Sequence, residues 1–525
     1  MTAAPDGAAQ HAEAASDPRR WWALGAVCVA TFMLLLDITI VNVALPDIAK
    51  DLGASFNDLQ WVIDAYALSL ATFTLTMGSL ADRFGRRVLF TVGLAVFTVA
   101  SLLCGLATTP TILIVSRGLQ GIGGAAMFAT SLALLAANFS GKERGTAFGL
   151  WGATTGGAVA IGPLVGGVLV EGISWQSIFI VNLPIGLIAI FVAVTKVPES
   201  RNPHAGRIDF AGLVTWVIGL FALVFALVRG NAEGWGSSVI AGSFALAAVM
   251  LAAFLVIELR VAHPMLDLRL FRKRSFTGAQ IAAFGLSSSM FAMFLYLTLY
   301  IQNGLRFSPL EAGLRFLPIT LLSFIAAPIS GRLSTRVPTR WLITGGLTLV
   351  GAGLLLMRGL DASSEWTALL IGFGIAGVGI GVTNPPLAST AVGVVEPWRA
   401  GIASGINSTF RQVGIATGTA ALGALFASRL TDKLDAAFAA AGPAVLRVAE
   451  KVPASVFEFG GSGPFKTGSP GQQAALTAYT GALNEILLVG GLVALVSALL
   501  CAVLIHDEDF FAPPGGEPAA PGSGG

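Results

Sequence analysis

Among the charged side chains inside the long apolar stretches of this 525-residue chain, Asp37, Asp64, Arg117, Arg411 and Glu485 stand away from the very ends. A charge in an apolar surrounding is costly, and where one persists it pairs, binds or moves a proton. Asp37 lies about 16 residues into the first stretch, roughly 24 Å along a helix. Asp64 opens the second stretch, which runs back the other way, so the two carboxyl groups share a depth. Burial raises a carboxyl pKa, and two neighbouring carboxyls can share one proton. Arg117 opens the fourth stretch at the same depth and stays charged, so it needs a counter-ion, for which Asp37 and Asp64 are the candidates. A guanidinium beside a carboxyl favours the ionised acid, and separating the two would let a proton on. The structural alternatives are an interhelical hydrogen bond for Asp37, a water-exposed mouth for Asp64 and backbone carbonyls for Arg117.

Two other patterns suit ligand contact. Ser289, Met293, Tyr296, Tyr300 and Asn303 recur at spacings of 4, 3, 4 and 3, which sets them on one face of a helix. Soft Met and amphipathic Tyr fit a promiscuous apolar cavity, or equally a packed helix contact. Ser404, Asn407 and Arg411 also share a face, with Arg411 near mid-height. Glu485 falls in the last stretch, where a structural or mouth role is expected. Cys28, Cys104 and Cys501 are far apart in apolar runs, and His11, His204, His263 and His506 fall in polar segments. No metal site and no cofactor are therefore expected.

The elements that position these groups follow from composition. Hydrophobic residues make up 55% of the chain and charged ones 11%, with a mean hydropathy of +0.79. A soluble domain carries about 25% charged residues, so the expected solvent is a bilayer. A net charge of +2 gives no reason to expect a nucleic-acid partner. Fourteen apolar runs are long enough for membrane helices, near 21–45, 61–81, 88–107, 111–138, 146–170, 175–195, 208–228, 238–257, 276–302, 312–331, 341–357, 366–392, 400–428 and 477–505. With the N-terminus in the cytoplasm, 19 of the 31 Lys and Arg fall in cytoplasmic segments and 9 in outer ones; Arg117, Arg315 and Arg411 lie within runs. That bias sets both termini in the cytoplasm.

The second half echoes the first. GSLADRFGRR at Gly78 matches GRLSTRVPTR at Gly331 with an offset of 253, pairing Gly78, Leu80, Arg83 and Arg87 with Gly331, Leu333, Arg336 and Arg340. A second echo, offset by 256, pairs Gly145, Ala147 and Gly149 with Gly401, Ala403 and Gly405. The expected fold is all-α and integral to the membrane. It comprises a tail (1–20), a six-helix bundle (21–200), two inserted helices with a linker (201–275), a second six-helix bundle (276–505, including an outer loop at 430–475) and a second tail (506–525), the tails being disordered. Repeated halves of this kind place a substrate between them.

Four motifs carry a family resemblance: LDITIVNVALP (36–46), GSLADRFGRRVLF (78–90), RGLQGIGGA (117–125) and GGAVAIGPLVGG (156–167), with WQSIFIVNLPIG (175–186) following. With these, the chain resembles the fourteen-helix drug:proton antiporters of the major facilitator superfamily. The resemblance implies a non-enzymatic monomer in the cell membrane, driven by the proton gradient, exporting hydrophobic or cationic small molecules by alternating access. Export of an endogenous metabolite, lipid or siderophore is the alternative; a membrane enzyme or a non-transporting receptor fits less well. Proton coupling would fall to Asp37, Asp64 and Arg117. The substrate cavity would be bordered by Asp37, Asp64, Met293, Tyr296, Tyr300, Asn303, Asn407 and Arg411. Gly78, Asp82, Arg83, Gly85, Arg86 and Arg87 would form a cytoplasmic gate. Gly162, Pro163, Gly166 and Gly167 would give a tight seam between the halves. The second-half loop departs from the signature, with Thr335 in place of the acid and Pro338 in place of the glycine.

Overall fold

The computed structural model describes residues 19–203, 209–261, 264–452, 455–458, 464–466 and 468–510. Residues 1–18 of the expected first tail, most of the second tail and parts of the outer loop lie outside them. Among the described residues there is no strand, and the long helices coincide with the apolar runs. They are α1 (Arg20–Leu52), α2 (Phe56–Phe84), α3 (Arg86–Gly105), α4 (Pro110–Asn138), α5 (Gly141–Gly172) and α6 (Ser177–Lys196). The insertion supplies α7 (Phe210–Glu233) and α8 (Ser238–Arg260). Then come α9 (Arg274–Gly304), α10 (Leu317–Leu333, after the short helix Pro309–Arg315), α11 (Thr339–Leu356), α12 (Trp366–Gly393), α13 (Ala400–Ala441) and α14 (Pro470–Leu504). Among the described residues eleven helices are long and apolar enough to cross a membrane; α2 and α5, richer in polar and small residues, and the shorter α10 lie beside them.

Local sequence sets the ends. Ser55 and Asp58 form a capping box on α2, Thr109 caps α4 ahead of Pro110, and Gly53 closes α1 in a left-handed conformation. The outward faces carry large apolar side chains such as Leu187, Phe191, Ile371 and Leu499, as a lipid-facing surface requires.

The pairings repeat. α4 packs on α2 and α3, and α12 packs likewise on α10 and α11. The two sets meet along two seams, α2 with α13 and α5 with α10. α7 lies over the first seam, touching both α2 and α13, and α8 packs on α7. α13 continues to Ala441, beyond the membrane-length run, so the first part of the expected outer loop, DKLDAAFAAA, forms its last turns. Phe438 on that extension packs on Phe457 and Phe465, with ring centroids 5.3 and 5.4 Å away.

The second tail was expected to begin at 506, but residues up to 510 are held. Asp509 accepts from the Ser275 backbone N–H (3.0 Å) and hydroxyl (2.7 Å), capping the start of α9.

Candidate functional site

The acid and the base of the first half meet. Arg117 on α4 donates from Nη1 to Asp37 Oδ2 on α1 and forms an ion pair with it. Both side chains are buried. Arg117 also donates to Gln120 Oε1 (2.7 Å) and to the Val62 carbonyl (3.1 Å), and its guanidinium lies 4.2 Å from the Tyr66 ring centroid. Gln120 in turn donates to Asp37 Oδ1 (2.8 Å) and Ser101 Oγ (2.8 Å). Asn182 on α6 bridges Ser101 (3.3 Å) and Asp37 (3.5 Å). Five helices thus converge on one ion pair, which is what a buried charge pair needs to be tolerated. Sequence reasoning missed Gln120, Asn182 and Ser101, although Gln120 stands one turn after Arg117 inside a quoted motif.

Asp64 does not join this pair. Its partner is Arg229 on the inserted α7, at 3.5 Å. Arg229 is buried and also donates to Asn57 (2.7 Å), Gln60 (3.1 Å) and Glu233 (2.7 Å). The expected sharing of a proton between Asp37 and Asp64 is therefore replaced by two separate acid–arginine pairs. Arg229 was passed over because nothing local says which helix the insertion lies against.

The stripe on α9 takes the packing alternative. Two π-helical stretches, Ser287–Phe291 and Tyr300–Gly304, flank the regular helix Ala292–Leu299, so Met293, Tyr296 and Tyr300 keep a shared face, and that face turns inward. Met293, Tyr296 and Tyr300 become part of the second half's hydrophobic core. Tyr296 packs on Phe426 of α13 and Tyr300 on Tyr479 of α14, while Asn303 is exposed at the helix end. The residues of α9 that face open space are Leu286, Met290 and Phe294. With Ile319 and Ser323 of α10, Ile380 and Asn384 of α12 and part of α5 they enclose a cavity of about 30 Å³, room for about one water. Asp37 and Asp64 do not line it.

Arg411 stands behind that cavity. It donates to Asn384 Oδ1 (3.0 Å) and Asn407 Oδ1 (3.3 Å), and Asn407 donates to Gln280 (3.2 Å). Glu485 is not lone: about midway along α14 it pairs with Arg429 (2.9 Å) and Lys433 (3.0 Å) of the α13 extension.

The loop after α2 fastens the two sets of helices at one face, the face that also carries the 331–340 loop and is called here the basic face. Gly78 lies against α13, where an added Cβ would stand 2.6 Å from the Gly401 carbonyl oxygen. Asp82 accepts from the first-turn amides of α13, Gly401 (2.9 Å) and Ile402 (2.8 Å). Arg86 donates to Asp82 (2.8 and 3.0 Å) and to the carbonyls of Pro397 (2.9 Å) and Trp398 (3.2 Å). A buried ion pair on the α2 side thus bonds across the seam to both polarities of the chain around the start of α13. Gly85, at φ 113°, leaves room for the Glu199 carboxylate, which accepts from the amides of Arg87 (3.0 Å) and Val88 (3.2 Å) at the start of α3. Glu199 was not foreseen. Arg83 turns outward over Phe84, 5.7 Å from its ring centroid.

The glycines of α5 divide. Gly162 and Gly166 of the expected seam motif face Thr39 and Ile40 of α1, inside one bundle, and Gly167 meets nothing. Pro163 lies within the unbroken helix. The contact between the two sets is made one to several turns earlier, by Gly145 against Gly331, Gly149 against Pro328 and Gly156 against Ser323.

Comparison with known proteins agrees with this geometry. The Major Facilitator Superfamily model matches residues 27–419. The multidrug resistance protein Stp of Mycobacterium tuberculosis is 38% identical over 77% of this chain and 75% of its own length. The puromycin resistance protein of Streptomyces alboniger is 38% identical over 80% of this chain and 86% of its own. The tetracenomycin C resistance and export protein of Streptomyces glaucescens is 35% identical over 82% and 80%. Among solved structures, the human organic anion transporter MFSD10 superposes with a TM-score of 0.58 at 16% identity, covering 91% of this chain and 100% of that one, a likeness of fold alone.

Proposed function

Because the chain belongs to the Major Facilitator Superfamily, we propose that this multi-pass membrane protein is a proton-coupled exporter of hydrophobic small molecules. The similarity to proteins named for drug resistance and export supports the direction and the substrate breadth. The observation that carries proton coupling is the buried Asp37–Arg117 pair. Protonating Asp37 removes the counter-ion of a buried guanidinium whose other partners, Gln120 and the Val62 carbonyl, are neutral. A buried charge left uncompensated costs several kcal/mol, so the helices around it must rearrange when the proton arrives.

In the proposed cycle a proton from outside neutralises Asp37 and substrate leaves outward. The protonated form turns to the cytoplasm, the proton departs, and Arg117 recovers its partner. Met293, Tyr296 and Tyr300 act as packing in this reading, and Asp64 with Arg229 ties the insertion to α2. The basic face is the cytoplasmic one, the two six-helix halves rock about the α2/α13 and α5/α10 seams, the working unit is the monomer, and the proton gradient is the only energy source. One proton across roughly 150 mV supplies roughly 3.5 kcal/mol, which sustains a gradient of about 300-fold for a neutral substrate.

The test is Asp37→Asn in inside-out vesicles with an imposed pH gradient. It should abolish pH-driven efflux of a fluorescent hydrophobic dye while expression stays within about twofold of the parent. Undiminished efflux would remove Asp37 from the coupling step.

A further inference from the structure

The buried arginines of this molecule differ in how they are balanced. Arg117, Arg229 and Arg86 each hold a carboxylate. Arg411 is buried at 5% exposure and pairs with no acid among the described residues. Its Nε and Nη1 reach two amide oxygens, and its Nη2 is buried with no hydrogen-bond partner. Ser323 Oγ, on the cavity wall opposite, is likewise buried and unpartnered. The Arg411 guanidinium lies behind Asn384, itself a wall residue, and 6.0 Å from the Trp151 ring centroid. On the helices that enclose this region, α5, α9, α10, α12 and α13, the other charged residues stand toward the ends. The middle of this region therefore carries one positive charge and no negative one.

A buried N–H of a guanidinium left unpaired is costly, as is an unpaired hydroxyl. Each would be relieved by an acceptor oxygen, and an anionic one beside Arg411 would also balance the charge. Most of the rest of the wall is apolar, with Leu286, Met290, Phe294, Ile319 and Ile380 beside Thr155 and Thr320, which suits a flat apolar body. We propose that Arg411 and Ser323 form an acceptor-oxygen subsite, so that the substrates are apolar ring compounds bearing a carboxylate or phenolate rather than cations. This rests on the exporter reading and names its substrate class. At about 30 Å³ the cavity is closed to such a body; the Gly156–Ser323 contact on the α5/α10 seam must part to admit one.

The test uses three naphthalenes of one shape: 2-naphthoate, its methyl ester and 2-naphthyltrimethylammonium. Equilibrium binding of each to the purified full chain is measured alongside pH-driven efflux from vesicles. The parent should bind naphthoate most tightly. Arg411→Gln should weaken naphthoate about ten- to a hundredfold and the ester about tenfold less than that, with Arg411→Lys recovering part of the loss. Ser323→Ala, which keeps every charge, should weaken naphthoate and ester alike by about threefold to tenfold, and it serves if Arg411→Gln does not fold. Preference of the parent for the ammonium compound, no saturable naphthoate binding, or naphthoate affinity unchanged in the variants that fold would each overturn the subsite. Efflux of the ester or the ammonium compound without that naphthoate preference would overturn the subsite and leave the exporter reading standing. Arg411-dependent naphthoate binding with no efflux of any of the three would do the reverse.

Discussion

The two seams that join the halves use the same glycine contact and differ in everything polar around it. On one side Gly78 of α2 lies on Gly401 of α13; on the other Gly331 of α10 lies on Gly145 of α5. The offsets of 253 and 256 read from the sequence map one pair onto the other. Beside Gly78 stand Asp82 and Arg86, which hold the start of α13 through its amides and the carbonyls before it. Beside Gly331 the matching positions are Thr335 and Thr339. Thr335 Oγ1 turns back to the Arg332 carbonyl (2.8 Å), and Thr339 Oγ1 is buried with no partner. The close approach is thus common to both seams, and the charge lock belongs to one. A rocking pair of halves needs a close, smooth contact on both sides, whereas a lock on one side is enough to hold a face shut.

The largest effect should come from breaking the lock. Asp82→Ala uncaps α13 and leaves Arg86 buried without its counter-ion, a loss of about 3–5 kcal/mol and a population shift of about a hundredfold or more. Spin labels at the exposed Phe84 and Trp341, in a chain whose three cysteines are replaced, should report longer distances across the basic face. An unchanged distance distribution would show that the glycine seams hold that face alone. Next come the glycines themselves. A methyl at Gly78 or at Gly145 meets a carbonyl oxygen across the seam, and overpacking of this kind costs about 1–3 kcal/mol. The same labels should show Gly78→Ala and Gly145→Ala widening the face to a similar degree, since the steric contact is the shared part. A wide difference between the two would break the symmetry.

What could be read in advance follows from what is local. Helix positions, the repeat and the Asp37–Arg117 partnership rest on apolar length, offset and depth, all properties of a single stretch or of two stretches read in parallel. The partner of Asp64 could not be read, because Arg229 belongs to an insertion whose docking side depends on α2 and α13 together. The α9 stripe could be read as one face but not as a packed one, because which way that face turns depends on how α9 packs on α13 and α14. The residues of the loop after α2 could be grouped in advance, but not read as a cap on α13, because that requires knowing where α13 begins.

A smaller effect concerns the same helix start. Asp267, in the linker before α9, pairs with Arg399 at 2.7 Å, one residue ahead of α13. Burial raises its carboxyl pKa, but the hydrogen bond from Arg399 and the Arg269 amide outweigh this and hold it below the usual carboxylate value. A depressed native pKa means stability present above the unfolded pKa and lost as pH falls through the native one. For a partly exposed pair this is worth about 0.2–1 kcal/mol. Acidifying below the usual aspartate range, about pH 4, should therefore lower the melting temperature of the parent slightly more than that of Asp267→Asn. Equal acid sensitivity in the two would remove this pin from the α2/α13 side.

The smallest effect is the most pointed. Thr335→Asp restores the acid that the second-half loop lacks, and on the repeat alone it should build a second lock. It should not, because the two facing helices begin at different places. α13 begins at Ala400, so Gly401 and Ile402 offer free first-turn amides to Asp82. α5 begins at Gly141, so the matching residues, Gly145 and Thr146, lie past its first four amides and donate within their own helix. An aspartate at 335 would meet no free donor there, and Thr339 offers no arginine to pair with it. The expected change in the Phe84–Trp341 distance distribution and in stability is within about 0.5 kcal/mol. A shortened distance with raised stability would mean that the start of α5 can unwind by a turn to accept the cap, and that the lock is a property of the loop rather than of where the facing helix starts.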